Sequence, residues 1–167
     1  MQLISRFIDA AVEFVGQTSS YLILPLIGMI GYEVVMRYVF NSPTTWAFEL
    51  STFVYGVHFI LGLAYAHKHN SHVSIDVFEA KLPFKPRIWL RIATNLAFFL
   101  PIIGILAYGT IIYAATSWGY RELSWSSWQP KIYPYKALMA LGFILFFLQG
   151  VAKLIDDIRS LRSSDQA

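Results

Sequence analysis

The 167 residues contain no cysteine, which excludes a disulfide framework, a thiolate nucleophile, a zinc knuckle and an iron–sulfur site. Charge is also scarce. Asp, Glu, Lys and Arg make up 14% of the chain, where a soluble domain carries about 25%. A chain this small exposes a large surface, and 13 basic and 10 acidic side chains are few to solvate it. No internal repeat or low-complexity linker is present, and the composition excludes disorder, collagen and coiled coil. No Ser/His/Asp set, Gly-rich phosphate loop or pair of catalytic carboxylates can be placed on one site, which argues against an enzyme. Apolar residues are abundant instead, at 56%, with a mean hydropathy of +0.52. The pI near 9.2 does not indicate nucleic acid, because the basic residues lie beside long apolar runs. The chain reads as an integral membrane protein.

Charge-free runs locate the crossings. They cover 19 residues from Phe14 to Tyr32, 18 from Leu50 to His67, 29 from Ile92 to Tyr120 and 16 from Ala137 to Ala152. A helix needs about 20 residues to cross about 30 Å of hydrocarbon, so the expectation is an all-α membrane protein. It has one domain over 1–167 and four spans, approximately 15–40, 47–67, 89–118 and 134–155. The third run would be about 43 Å long as a helix, so it should tilt or protrude. Pro101 lies inside it and frees the carbonyl of Ala97, which predicts a kink.

Basic residues set the orientation. Arg6, Lys68, Lys81, Lys85, Arg87, Arg91, Lys153, Arg159 and Arg162 fall on the side of the termini; Arg37, Arg121, Lys131 and Lys136 fall on the other. Nine against four places both termini in the cytoplasm. Trp46, Trp118, Trp125 and Trp128 then gather at the outer interface and Trp89 at the inner one. The N-terminal segment has no basic n-region, carries Asp9 and Glu13, and has no clear small-residue cleavage site, so it is not read as a cleavable signal. Ile4, Phe7, Ile8, Ala11 and Val15 share a helical face instead, which predicts an amphipathic lead-in helix in the inner interface. The stretch with Leu154, Ile158 and Leu161 opposite Asp157, Arg159 and Arg162 predicts a matching helical exit.

Polar residues at membrane depth are costly and default to functional candidates. Glu33 and Arg37 are four apart on the first span, so their side chains can meet. Glu49 begins the second span across the short link Asn41-Ser-Pro43-Thr-Thr-Trp46, at the same outer depth as Arg37. Asn41 and Pro43 suit a tight turn, and Thr44 or Thr45 can cap the next helix. Two readings are open for these carboxylates and Arg37: an ion pair that neutralises two helix ends, or a binding or proton-handling role.

The inner loop holds His67, His69 and His72. Their spacing admits a metal, but no carboxylate or cysteine completes the set, and solvated interfacial histidines fit better. Ser74 and Asp76 can open a short helix whose apolar stripe, Ile75, Phe78 and Leu82, ends at Pro83. It would lie on the membrane with Lys81, Lys85, Arg87 and Arg91 toward anionic headgroups. His58 is the only histidine well inside a span, whereas a bis-histidine haem needs two. No cofactor or metal is implied.

The run Arg37-Tyr-Val-Phe-Asn-Ser-Pro43 followed by Trp46, Glu49 and Leu50 resembles the first-loop signature of a known family. This is the DctQ-type small membrane subunit of tripartite ATP-independent periplasmic (TRAP) transporters. Gly62-Leu-Ala-Tyr65, His72-Val with Asp76, and Trp128-Gln-Pro130 with Pro134 continue the resemblance over nearly the whole chain. The aromatic loop Ser117–Tyr135, with three Trp and three Tyr, departs from the family pattern. The resemblance implies a non-catalytic permease subunit in the bacterial inner membrane. It would partner a large multi-span subunit that imports organic acids with sodium by an elevator-like motion, and a soluble periplasmic substrate-binding protein. The small subunit would widen the fixed scaffold and help dock the binding protein. Trp125, Trp128, Gln129 and Lys131 are the candidates for docking, with interfacial anchoring as the other reading of the two Trp. The rival from another class is a self-contained four-helix exporter coupled to protons through Glu33 or Glu49. Against it, both carboxylates lie toward helix ends, away from mid-bilayer.

Overall fold

The computed structural model describes residues 2–69 and 83–164. Among the described residues six α-helices follow in order: α1 (Gln2–Ser20), α2 (Ile23–Tyr38), α3 (Ala47–Lys68), α4 (Phe84–Thr94), α5 (Leu100–Tyr120) and α6 (Tyr133–Ser164). A π-helical turn, Asn95–Phe99, joins α4 to α5. Four helical lengths are long and apolar enough to cross a membrane: Ser5–Tyr38, Ala47–Lys68, Lys85–Tyr120 and Tyr133–Arg162. The short surface helix expected over 74–82 lies outside the described residues.

The first crossing is broken near its middle. Pro25 has no N–H to offer the carbonyl of Tyr21, and the backbone turns at Tyr21 and Leu22. The carbonyls released there find other donors, as membrane depth demands. Ser19 Oγ donates to the Gly16 carbonyl at 2.8 Å and Ser20 Oγ to Gln17 at 2.7 Å. His58, from the middle of α3, donates through Nδ1 to the Ser19 carbonyl at 2.9 Å. The one histidine deep in a span thus caps the end of α1.

The amphipathic N-terminal helix is present, but α3 and α6 cover it along a stripe of Ser5, Ile8, Val12, Gly16 and Ser19. That stripe is rotated from the expected face, and Phe7 points outward at 77% exposure. Polar ties fix α1 at the end of the molecule that carries the termini. Lys68 Nζ donates to Glu13 at 2.5 Å and to the Asp9 carbonyl at 2.9 Å, and Gln149 Nε2 donates to Asp9 at 3.0 Å. These bonds draw the helix along α3 and α6 and hold it within the bundle.

Pro101 acts one turn upstream of itself. The Leu100 N–H reaches back to the Asn95 carbonyl, a π-type spacing, so the break in the hydrogen-bond ladder is absorbed as a wide turn. Asn95, buried, donates to the Gly150 carbonyl at 3.2 Å and seats this turn on α6.

The crossings form an open row. α2 packs on α3, α3 on α6 and α6 on α5, while α1 lies against α3 and α6. Small residues permit the close approaches; at Gly142 a β-carbon would collide with the side chain of Ile60 on α3. A row leaves both flanks uncovered, and on α5 Ile105, Tyr108, Ile112 and Tyr113 are all exposed.

Candidate functional site

Polar side chains gather where α2 meets α3 and where the 121–132 loop joins α5 to α6. The first cluster centres on Glu33. Arg37 Nη2 donates to Glu33 Oε1 at 2.7 Å, one helical turn away. Thr44 donates to Oε2 through its hydroxyl at 2.5 Å and its backbone N–H at 3.2 Å. Thr44 Oγ1 also accepts the Ala47 N–H at 3.3 Å, which starts α3. Asn41 takes φ 49°, and the Ser42 N–H closes onto the Met36 carbonyl at 2.9 Å. Pro43 is exposed on the link, and Trp46 stacks on Tyr32 with centroids 5.9 Å apart. One carboxylate therefore ties the end of α2 to the start of α3.

Glu49 forms no ion pair with Arg37, which is paired with Glu33. Its carboxylate accepts the hydroxyls of Ser124 and Ser126, on the 121–132 loop. Those two serines flank Trp125, which is 100% exposed. The sequence signal for this contact was weak, since two serines in a loop do not announce a carboxylate 75 residues earlier.

The loop is well fixed. α5 ends with Arg121 at φ 47°, the Arg121 N–H bonding Trp118 at 3.2 Å and the Glu122 N–H bonding Ser117 at 3.1 Å, a Schellman closure. Leu123 and Lys131 form an isolated antiparallel bridge, with the Ser124 N–H on the Pro130 carbonyl at 2.9 Å and Ile132 on Glu122 at 3.1 Å. Gln129, at φ 49°, donates its N–H to Ser126 Oγ at 3.2 Å. Trp128 and Lys131 are both exposed. Beneath the loop, Lys136 is buried, pairs with Glu122 at 2.5 Å and sits 3.8 Å from the centre of the Tyr113 ring. The hydrogen bond from Lys136 holds the Glu122 carboxyl below its ordinary range.

At the opposite end His67 and His69 are separately engaged. His67 stacks on Phe99 at 4.5 Å, whereas His69 meets Glu13 at 3.0 Å and the Tyr65 ring at 4.4 Å. His72 and Lys81 lie outside the described residues. Lys85 is exposed, Arg87 and Arg91 are half-buried, and all three also interact within the chain.

This geometry joins a family-level match. Residues 26–160 match the model of the tripartite ATP-independent periplasmic transporters, DctQ component. The chain belongs to the DctQ family. With four apolar crossings, this DctQ protein is a multi-pass protein of the bacterial inner membrane. It is 31% identical over 88 residues to the sialic acid TRAP transporter small permease protein SiaQ of Vibrio cholerae, covering 53% of this chain and 51% of that one. It is 27% identical over 110 residues to a putative TRAP transporter small permease protein of Haemophilus influenzae, covering 65% and 63%. It is also 27% identical over 104 residues to the sialic acid TRAP transporter permease protein SiaT of Haemophilus influenzae, covering 62% of this chain and 16% of SiaT. The chain thus spans about half the length of the first of these relatives and less than two thirds of each.

Proposed function

We propose that this chain is the non-catalytic small permease subunit of a sodium-coupled, binding-protein-dependent TRAP importer of organic acids. It would act as a scaffold for a large transport subunit and help dock a periplasmic binding protein. The observation that carries this is the open row of crossings, whose flanks expose long apolar faces while the polar side chains of the loop end are tied to one another. Such a molecule offers lateral surface for a partner helix layer and for lipid. The SiaT comparison supports the partnership, because the segment resembling this chain is a small part of a much longer permease. The names of the SiaQ and SiaT relatives make sialic acid the first substrate to try.

In this reading the termini are cytoplasmic, and Glu33, Arg37, Asn41, Pro43, Trp46 and Glu49 form a rigid outer corner. Lys81, Lys85, Arg87 and Arg91 meet the inner headgroups, and the loop with Trp125, Trp128, Gln129 and Lys131 faces the binding protein. The exporter alternative fits less well, since Glu33 and Glu49 are both committed to donors at helix ends.

The test is sialic acid uptake by cells expressing the large subunit and binding protein with and without this chain. Uptake is expected only with all three. Replacing Trp125 and Trp128 together by Ala should raise the binding-protein concentration needed for half-maximal uptake while the membrane pair still co-purifies. Unchanged uptake kinetics in that double variant would count against docking through this loop.

A further inference from the structure

The three carboxylates of the loop end all have donors within the chain: Glu33 has Arg37 and Thr44, Glu122 has Lys136, and Glu49 has Ser124 and Ser126. Two cations at this end, Arg121 and Lys131, are exposed and form no ion pair among the described residues. Arg121 moreover occupies a left-handed backbone position, φ 47°, that glycine would take without strain. The Arg121 side chain is exposed there. Between the two cations along the loop stands Trp125, fully exposed, with the serine on either side bonded to Glu49. The loop therefore presents an indole and two free cations on a backbone already immobilised.

We propose that Glu49 is a positioning residue for Trp125, and that the surface so presented docks an acidic face of the soluble binding protein. The indole enters an apolar slot there, and Arg121 and Lys131 face carboxylates around it. This rests on the docking reading above and names the chemistry of the surface that the loop fits. A fully exposed indole flanked by charges has the make-up of an interface hot spot with a polar rim, and the free cations steer an acidic partner and make its binding salt-sensitive. Pre-organisation by Glu49 lowers the ordering cost of docking. The bilayer is the competing occupant. Two features favour the protein: the loop stands beyond the helix ends at Tyr120 and Tyr133, and a lipid anchor has no need of a two-point clamp around its indole.

The test uses this chain assembled with its large subunit, in nanodiscs with and without anionic lipid and in proteoliposomes. The probe is the soluble binding protein of the same transport system. Wild-type binding should weaken about tenfold from low to high salt, as for a charge-steered interface. R121E/K131E should bind about tenfold more weakly at low salt and recover affinity as salt rises, because screening now relieves a repulsion. E49A should raise the binding-protein KM in uptake about tenfold, with saturating binding protein recovering the rate, and should keep the salt dependence. E49Q, which retains an acceptor oxygen, should recover most of the affinity. S124A/S126A should reproduce E49A and takes its place if E49A does not assemble. If W125A weakens docking while E49A, S124A/S126A and R121E/K131E behave as wild type, the docking reading stands and this inference falls. If W125A also binds as wild type, both fall. A charge-reversal effect confined to nanodiscs with anionic lipid, and present without the binding protein, assigns the cations to headgroups and overturns the inference.

Discussion

Glu33 gathers donors from two elements onto one carboxylate, whereas Arg37 is half-exposed and, among the described residues, gives to Glu33 alone. Loss of the acceptor strands both Thr44 donors at the start of α3, whereas loss of the exposed cation leaves the buried Glu33 carboxylate with both bonds from Thr44 in place. Glu33→Ala should therefore lower the Tm of the solubilised protein more than Arg37→Ala. Equal shifts would mean that the ion pair, and not the bonds to Thr44, fixes the corner. Glu122 supplies a pH test. Its pKa is depressed in the fold, so its contribution to stability is present above the ordinary carboxylate value of 4.5 and is lost as pH falls through the folded value. The Tm gap between wild type and Glu122→Gln should be full near neutrality and shrink below about pH 4.5. A gap independent of pH would contradict the pairing with Lys136. Of these contacts, the Glu33–Arg37 pair was legible from its four-residue spacing. The Glu49 contact was not, because hairpin proximity suggested Arg37 while the real donors are hydroxyls distant in sequence.

At the scale of helices, hydrophobic run length gave the number of helices long and apolar enough to cross a membrane, and Pro101 announced a disturbance that takes the form of a π-turn. Run length alone could not show the break at Tyr21 and Leu22. Its signals were Pro25 and the Thr18-Ser-Ser20 run, whose side chains can satisfy freed carbonyls at depth. The covered stripe of α1 was also hidden, since two serines and a glycine on it look polar or neutral until α3 and α6 are placed against them. Packing between neighbouring crossings relies on backbone approach, where lipid supplies no hydrophobic bias. Gly142→Leu should force α3 and α6 apart and destabilise the chain by about 1–3 kcal/mol, read as a lower Tm. An unchanged Tm would show that this contact is dispensable.

Across the whole molecule, the row of helices explains a composition that is too apolar for 167 soluble residues: the excess lies on faces that this chain does not cover itself. The absence of cysteine makes the orientation simple to test. Ser127→Cys should react with an impermeant maleimide in intact spheroplasts, and Lys85→Cys only after permeabilisation. The reverse pattern would invert the assignment of inside and outside. The proposed partnership is tested most directly by joint expression of this chain, tagged, with a large TRAP membrane subunit, followed by purification and size analysis in mild detergent. The account predicts a single stable complex of the two membrane proteins. A tagged chain that elutes alone, with full uptake by the large subunit in its absence, would contradict it.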